Sequence, residues 1–84
     1  KNNKLRGRYI MVKVYSKNNC GQCEETKKYL AMNNVEYVEF NIEEDREAYK
    51  HVVESGFRAM PVVEFPNGEV MSGFNRLSLM QNTK

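Results

Sequence analysis

The chain has 84 residues, which is enough for one small domain and too few for two. Its formal net charge is +2, but four cations lie in the first ten residues, so removing them leaves −2. From this balance of charge we expect no basic surface that binds nucleic acid. No apolar run approaches the roughly 18 residues of a membrane span, and no secretory signal pattern is present. We therefore expect a cytoplasmic protein, monomeric, with no nucleic-acid or membrane partner.

The N-terminus differs in character from the rest of the chain. Residues 1–10 precede the first methionine, Met11, and "MVKVYS" is typical of a natural start. We interpret residues 1–10 as an expression-vector remnant or an N-terminal extension, and residues 11–84 as a single domain.

Strands and helices are predicted to alternate along the chain. Strands are indicated by β-branched and aromatic residues, helices by apolar spacing and caps, and a hairpin by Pro-Asn-Gly. The predicted elements are strand Tyr9–Tyr15, turn Ser16–Asn19, helix Gly21–Asn33, strand Glu36–Ile42, helix Glu43–Ser55, strands Pro61–Phe65 and Glu69–Met71, and helix Asn75–Gln81.

The order βαβαββα predicts an α/β fold. A right-handed crossover pairs the first two strands in parallel, and the hairpin adds two antiparallel strands. We expect a four-stranded mixed sheet with helices on both faces. In the first helix, Cys23, Thr26 and Leu30 share one face, and Gly56 is placed to cap the second helix.

Cys20 and Cys23 are the two cysteines of the chain, in the motif Cys-Gly-Gln-Cys. Cys20 falls at the junction of the first strand and the first helix, where free N–H groups and the helix dipole stabilise a thiolate. Cys23, one turn further, lies close enough to attack a mixed disulfide on Cys20. C-x-x-C in a βα unit therefore predicts thiol–disulfide exchange.

Two cysteines at this spacing also allow other functions. A structural disulfide would close a very short loop, which gives little chain-entropy gain. A zinc site or cluster needs more ligands, and because His51 is the one histidine, a second protomer would have to supply them. Inert core thiols are a further possibility. We favour exchange and keep a metal- or cluster-binding module as an alternative.

Pro61 begins a predicted strand, a position where proline is tolerated. An X-Pro bond before a strand is also a place where a cis peptide can occur. A cis bond would turn the backbone of Met60 outward to pair with an extended partner. A trans proline that simply starts the strand is the alternative.

The segments "VYSKNNCGQC", "TKKYL", "GFRAMPVV" and "MSGF" resemble the thioredoxin superfamily and, more narrowly, the glutaredoxin-like NrdH redoxins. The likeness runs from Met11 to about Leu77. It implies a glutaredoxin-like fold with Cys20 attacking, Cys23 resolving and Pro61 cis. It also implies a redox-active disulfide without a bound cofactor, electrons from NADPH through thioredoxin reductase, and donation to the large subunit of class Ib ribonucleotide reductase.

The resemblance and the site argument together give the candidate partner-contacting residues: Lys17, Gly21, Gln22, Met60, Ser72, Gly73 and Phe74. The chain departs from the family where Asn18 replaces a frequent proline, Met71 replaces tryptophan, and Asn75-Arg76 replaces Arg-Pro. These departures affect packing and the partner surface and leave the cysteine chemistry intact.

A glutathione-dependent glutaredoxin is the main alternative. Such proteins resemble C-P-Y-C, T-V-P and G-G-x-D-D, and the acids of the last motif suit the ammonium group of glutathione. The corresponding residues 71–76 lack those acids, so we expect weak or no glutathione binding. Glu24 and Glu25 oppose a nearby thiolate if they point toward it, so we expect a reducing dithiol rather than a strong oxidant.

Overall fold

Four strands and three helices follow in the predicted order, in a computed structural model that describes residues 11–56 and 59–83. The elements are β1 (Val12–Ser16), α1 (Gly21–Met32), β2 (Tyr37–Asn41), α2 (Arg46–Ser55), β3 (Val62–Glu64), β4 (Val70–Ser72) and α3 (Arg76–Asn82). The interpretation of residues 1–10, including a first strand that begins at Tyr9, falls outside the described residues. Within the described ranges, none of the helices has the length and apolar character needed to cross a membrane.

The strands form one mixed sheet in the order β2-β1-β3-β4. β1 runs parallel to β2, with Val14 opposite Glu39. β3 is antiparallel to β1, with Val63 opposite Val14, and β4 is antiparallel to β3, with Met71 opposite Val63. The predicted four-stranded mixed sheet is confirmed.

Each face of the sheet is covered by helix. On one face Val14 and Val63 pack with Leu30 of α1 and Leu79 of α3, all four of them fully buried. On the other face Tyr15 and Val62 pack with Ala48 and Val52 of α2. Successive strand residues point to opposite faces, so β1, β2 and β3 contribute to both clusters, while β4 contributes Met71 to the first. The predicted helices on both faces are therefore confirmed.

α2 begins at Arg46, three residues later than predicted, because Asn41 organises a turn after β2. The side-chain oxygen of Asn41 accepts the Glu43 N–H at 2.8 Å, and its carbonyl accepts the Asp45 N–H at 2.9 Å. Asp45 then caps the helix by accepting the Ala48 N–H at 3.1 Å. An N-cap aspartate satisfies a free N–H and suits the positive helix end.

Two other boundaries reflect local hydrogen bonds. β1 extends to Ser16, beyond the predicted end at Tyr15, because the Ser16 carbonyl accepts the Ile42 N–H at 2.8 Å. In the predicted hairpin turn, Gly68 has a φ of 95° and donates its N–H to Phe65 at 2.9 Å. A positive φ is readily adopted by glycine, which explains the turn at Pro-Asn-Gly.

Candidate active site

Cys20 and Cys23 form a disulfide at the start of α1. Their Cα atoms are 5.2 Å apart, within the range that a disulfide accommodates. Cys20 is the N-cap residue, with an extended backbone, and it is partly exposed. Cys23 is fully buried on the face that packs against the sheet. The site therefore presents one sulfur to solvent and keeps the second behind it.

The same helix start supplies a hydrogen-bond donor to the sulfur of the partly exposed Cys20. The backbone N–H of Cys23 donates to Cys20 Sγ at 3.1 Å. In the reduced protein a thiolate at this cap would receive that donor and the positive end of the helix dipole. Both effects favour the charged, nucleophilic form of a cysteine at this position.

The segment around Pro61 forms the second part of the site. The peptide bond between Met60 and Pro61 is cis. Pro61 is buried, and its carbonyl accepts the Gly73 N–H at 2.8 Å. Ser72 Oγ donates to the Ala59 carbonyl at 2.9 Å. Gly73 has a φ of 82°, and an added Cβ would lie 3.3 Å from that of Ala59. The glycine therefore allows the two segments to approach closely.

A long-range hydrogen bond joins the cysteine loop to the turn before α3. Gln22 Oε1 accepts the backbone N–H of Phe74 at 3.1 Å, across 52 positions of sequence. Phe74 is half-buried and packs against the main core cluster, so its side chain belongs partly to the core.

The side chains of the other candidate contact residues make no hydrogen bond in this arrangement that the described contacts give. Lys17 is exposed in the loop before Cys20, and Gly21 is the exposed first residue of α1 with open space beside it. Met60 is half-buried and packs against the second core cluster. Phe57 and Arg58, which sequence reasoning considered for packing or partner contact, lie outside the described residues.

The loop before Cys20 is tied to the loop after β2 by side-chain amides. Asn18 Nδ2 donates to Glu43 Oε1 at 2.7 Å, and Asn41 Nδ2 donates to Asn18 Oδ1 at 2.9 Å. Asn18 stands where the resemblance has a proline. Sequence reasoning missed this contact. The signal was present, because parallel β1 and β2 bring their following loops to one edge of the sheet.

A charged network connects α1 to β2. Ser16 Oγ donates to Glu39 Oε2 at 2.6 Å, and Lys27 Nζ donates to the same oxygen at 2.9 Å. Lys27 Nζ also lies 3.1 Å from Glu24 Oε2. The Ser16 hydroxyl is the main cause that holds the pKa of Glu39 below its ordinary value, and Lys27 adds to it. The hydrogen bond to Glu39 raises the pKa of Lys27, with Glu24 contributing.

This network predicts part of the acid stability of the fold. Because the folded pKa of Glu39 is lowered from 4.5, its contribution is present above that pH and is lost as pH falls through the folded value. We expect Glu39→Gln to flatten the decline in stability between about pH 5 and pH 3. Urea midpoints of the oxidised protein measured across this range test the prediction. Glu69→Gln, an exposed change in the hairpin, is the control, and equal acid slopes in both variants would contradict it.

The two acids that follow Cys23 take different sides of α1. Glu24 joins the network toward β2, whereas Glu25 lies in an open groove of about 520 Å³ between α1 and α3. Sequence reasoning did not find this groove, because its two helices are distant in sequence. Its lining comprises Glu25, Lys28, Tyr29, Met32, Asn33, Phe74, Arg76 and Met80.

The metal-site alternative finds no ligand cluster in the described part of the chain. Residues 11–56 and 59–83 contain no group of three or more His, Cys, Asp or Glu side chains placed to hold a metal ion. His51 is exposed on α2 and pairs with Glu64 through Nε2 and Oε2 at 2.5 Å. It therefore lies on the face of the sheet opposite Cys23.

The sequence of this chain is similar to a family model and to several known proteins. The family model described as glutaredoxin matches residues 12–71. The glutaredoxin-like protein NrdH of Lactococcus lactis is 51% identical over 53 residues, covering 63% of this chain and 74% of that protein. An uncharacterised glutaredoxin-like protein of Clostridium pasteurianum is 31% identical over 72 residues, covering 82% of this chain and 92% of that protein.

Solved structures agree with this similarity. The NrdH-redoxin of Escherichia coli superimposes with a TM-score of 0.80 at 26% identity, covering 86% of this chain and 93% of that one. The thioredoxin-like protein BC3987 superimposes with a TM-score of 0.77 at 32% identity, covering 83% of this chain and 96% of that one.

Proposed function

Since the chain belongs to the glutaredoxin family and is a thiol–disulfide oxidoreductase, we propose that it is a dithiol electron donor to protein disulfides. The observation that carries the proposal is the asymmetry of the pair, a partly exposed Cys20 at the helix cap and a buried Cys23. We assign Cys20 as the attacking thiol and Cys23 as the resolving thiol, in a functional domain spanning residues 11–84.

The reaction follows from that assignment. The Cys20 thiolate attacks one sulfur of a substrate disulfide, forming a mixed disulfide and releasing the other substrate sulfur as a thiolate. Cys23, once deprotonated, attacks Cys20 Sγ and releases the second substrate thiolate. The substrate gains two electrons, and the protein is left with the Cys20–Cys23 disulfide. The rate depends on the thiolate fraction, the nucleophilicity and the access of Cys20.

We further propose that the partner lies along the two segments that flank Cys20. The backbone at Met60 and cis-Pro61 would face an extended partner chain, and Ser72–Phe74 would border it. Lys17, Gly21 and Gln22 would contact it from the cysteine loop. We expect the protein to act as a monomer in the cytoplasm.

We propose thioredoxin reductase and NADPH as the recycling system, with the large subunit of class Ib ribonucleotide reductase as substrate. The relative from Lactococcus lactis is named NrdH, and the NrdH-redoxin of Escherichia coli is described as having a thioredoxin-like activity profile. Weak glutathione binding is supported by the absence of acids in residues 71–76. It is also supported by the Phe74 N–H, which already donates to Gln22.

The choice of reductant is tested by NADPH oxidation with a disulfide substrate under two recycling systems. One contains thioredoxin reductase, and the other contains glutathione with glutathione reductase. We expect turnover with thioredoxin reductase and at least about tenfold less with glutathione, a difference near 1.4 kcal/mol in transition-state free energy. Turnover with glutathione alone would replace this proposal by the glutaredoxin alternative. Failure in both would return attention to a metal- or cluster-binding module.

A further inference from the structure

Glu24 lies one helical turn after Cys20, in the first turn of α1. Its backbone N–H donates to the Cys20 carbonyl at 3.2 Å, which is the first i to i+4 bond of α1. Cys20 itself is the N-cap residue with an extended backbone, so the bond joins the cap to the first turn of the helix. A carboxylate in that first turn raises the free energy of a Cys20 thiolate by Coulomb repulsion and lowers the thiolate fraction.

Lys27 counters that charge from one turn further along the helix. Its ammonium lies 3.1 Å from Glu24 Oε2 and 2.9 Å from Glu39 Oε2, and its side chain is 19% exposed. Residues of the sheet hold the Lys27 side chain in position. Glu39 accepts the hydroxyl of Ser16, a buried residue four positions before Cys20. Ser16 belongs to β1 and Lys27 to α1. The network therefore joins the strand before the cysteine loop to the helix after it.

We propose that Lys27 is a positioning residue for the dithiol reaction, holding Glu24 and Glu39 so that their charge does not suppress the Cys20 thiolate. Two carboxylates and one ammonium leave the network with a charge of −1, and removal of Lys27 would leave −2. The inference rests on the proposed function, because it takes Cys20 as the attacking thiol.

The described charged groups near the helix start come from five segments. The loop before it carries Lys17, α1 carries Glu24, Glu25, Lys27 and Lys28, β2 carries Glu39, the loop after β2 carries Glu43, and α3 carries Arg76. Among the described contacts, the two ion pairs of Lys27 connect Glu24 to β2. Glu25 and Arg76 line the groove on the α3 side, and Lys28 borders both that groove and the β2-side surface that Glu24, Lys27 and Glu39 line.

Paired substitutions separate this electrostatic role from a merely structural one. Lys27→Met and Glu24→Gln break the same ion pair, so a structural role would change both proteins in one direction. The proposal requires opposite directions, since one variant adds net negative charge near Cys20 and the other removes it. The double variant restores the network charge to −1 and should return close to the wild-type behaviour.

The readout is the alkylation of reduced protein by iodoacetamide as a function of pH, in which the thiolate displaces iodide. Below the Cys20 pKa we expect Lys27→Met to react about threefold more slowly than wild type and Glu24→Gln about threefold faster, as a change of one screened charge near the helix start would produce. The apparent pKa should rise in the first variant and fall in the second. Lys28→Met makes the same charge change at the next residue, for which the described contacts give no ion pair to Glu24 or Glu39, and it should alter the rate less than Lys27→Met does.

Several outcomes would overturn the inference. Shifts of the two single variants in the same direction, an unchanged pH profile in both, or an equal effect of Lys28→Met would each do so. Mass spectrometry identifies the alkylated cysteine, and urea midpoints verify that each variant is folded. Because alkylation needs no reductase or substrate protein, this result is independent of the recycling assay. Preferential alkylation of Cys23 would instead remove the shared premise, and both proposals would fall.

Discussion

Replacing Cys23 by serine is expected to stop turnover and leave the protein covalently joined to its substrate through Cys20. Serine lacks a sulfur that can attack the mixed disulfide, so the second half of the exchange no longer has its intramolecular nucleophile. Because a well-placed internal group has a very high effective concentration, we expect dithiol-dependent turnover to fall by roughly 10³-fold or more. Non-reducing electrophoresis with an oxidised protein substrate, followed by mass spectrometry, detects the trapped complex.

Cys20→Ser is the matched control for this prediction. It removes the partly exposed sulfur and leaves the buried one, so it should lose turnover without trapping substrate. A stable adduct in Cys20→Ser and none in Cys23→Ser would reverse the assigned roles. The absence of an adduct in both variants would contradict the exchange mechanism.

Replacing Leu30 by alanine is expected to cause a large loss of stability. Leu30 is completely buried where α1 meets the sheet, in the cluster that also contains Leu79 of α3. Removing a buried leucine side chain loses its transfer free energy and leaves a cavity, which together cost about 3 kcal/mol. For a small domain this is a substantial fraction of a total of about 5–10 kcal/mol. Urea unfolding of the oxidised protein measures the difference.

Met32→Ala gives the comparison on the same helix. Met32 is 72% exposed, so its truncation should change the free energy of unfolding by less than about 0.5 kcal/mol. Similar losses in the two variants would contradict the assignment of Leu30 to the core. Because Cys23 lies in α1 and Cys20 is its N-cap, the Leu30 variant should also be assayed well below its unfolding midpoint.

Local patterns were sufficient for the element order and for the placement of the cysteines. Cys23, Thr26 and Leu30 recur at helical spacing, and all three are buried in the structure. Pro-Asn-Gly produced the hairpin turn, and Gly56 capped α2 with a φ of 83°. These features depend on neighbouring residues and on backbone sterics, which are available from a short window of sequence.

Boundaries were less predictable where side chains compete for backbone donors. Glu43 suits the first turn of a helix, but its N–H donates to the Asn41 side chain, and α2 begins only at Arg46. The predicted last helix includes Asn75, which instead caps α3 by accepting the Ser78 N–H at 3.0 Å. The start of a helix therefore depends on which acceptor pairs with each backbone N–H, and composition alone does not determine that pairing.

The sequence by itself determined the fold class, the C-x-x-C pair at a helix start and the proline before β3, because each follows from local pattern and chain order. The tertiary structure alone decided what surrounds that pair. Gln22 meets Phe74 across 52 residues, and Lys27 meets Glu39 only through the packing of α1 beside β2. Contacts of this kind depend on strand register and helix placement, which arise from burial of the whole core rather than from any single segment.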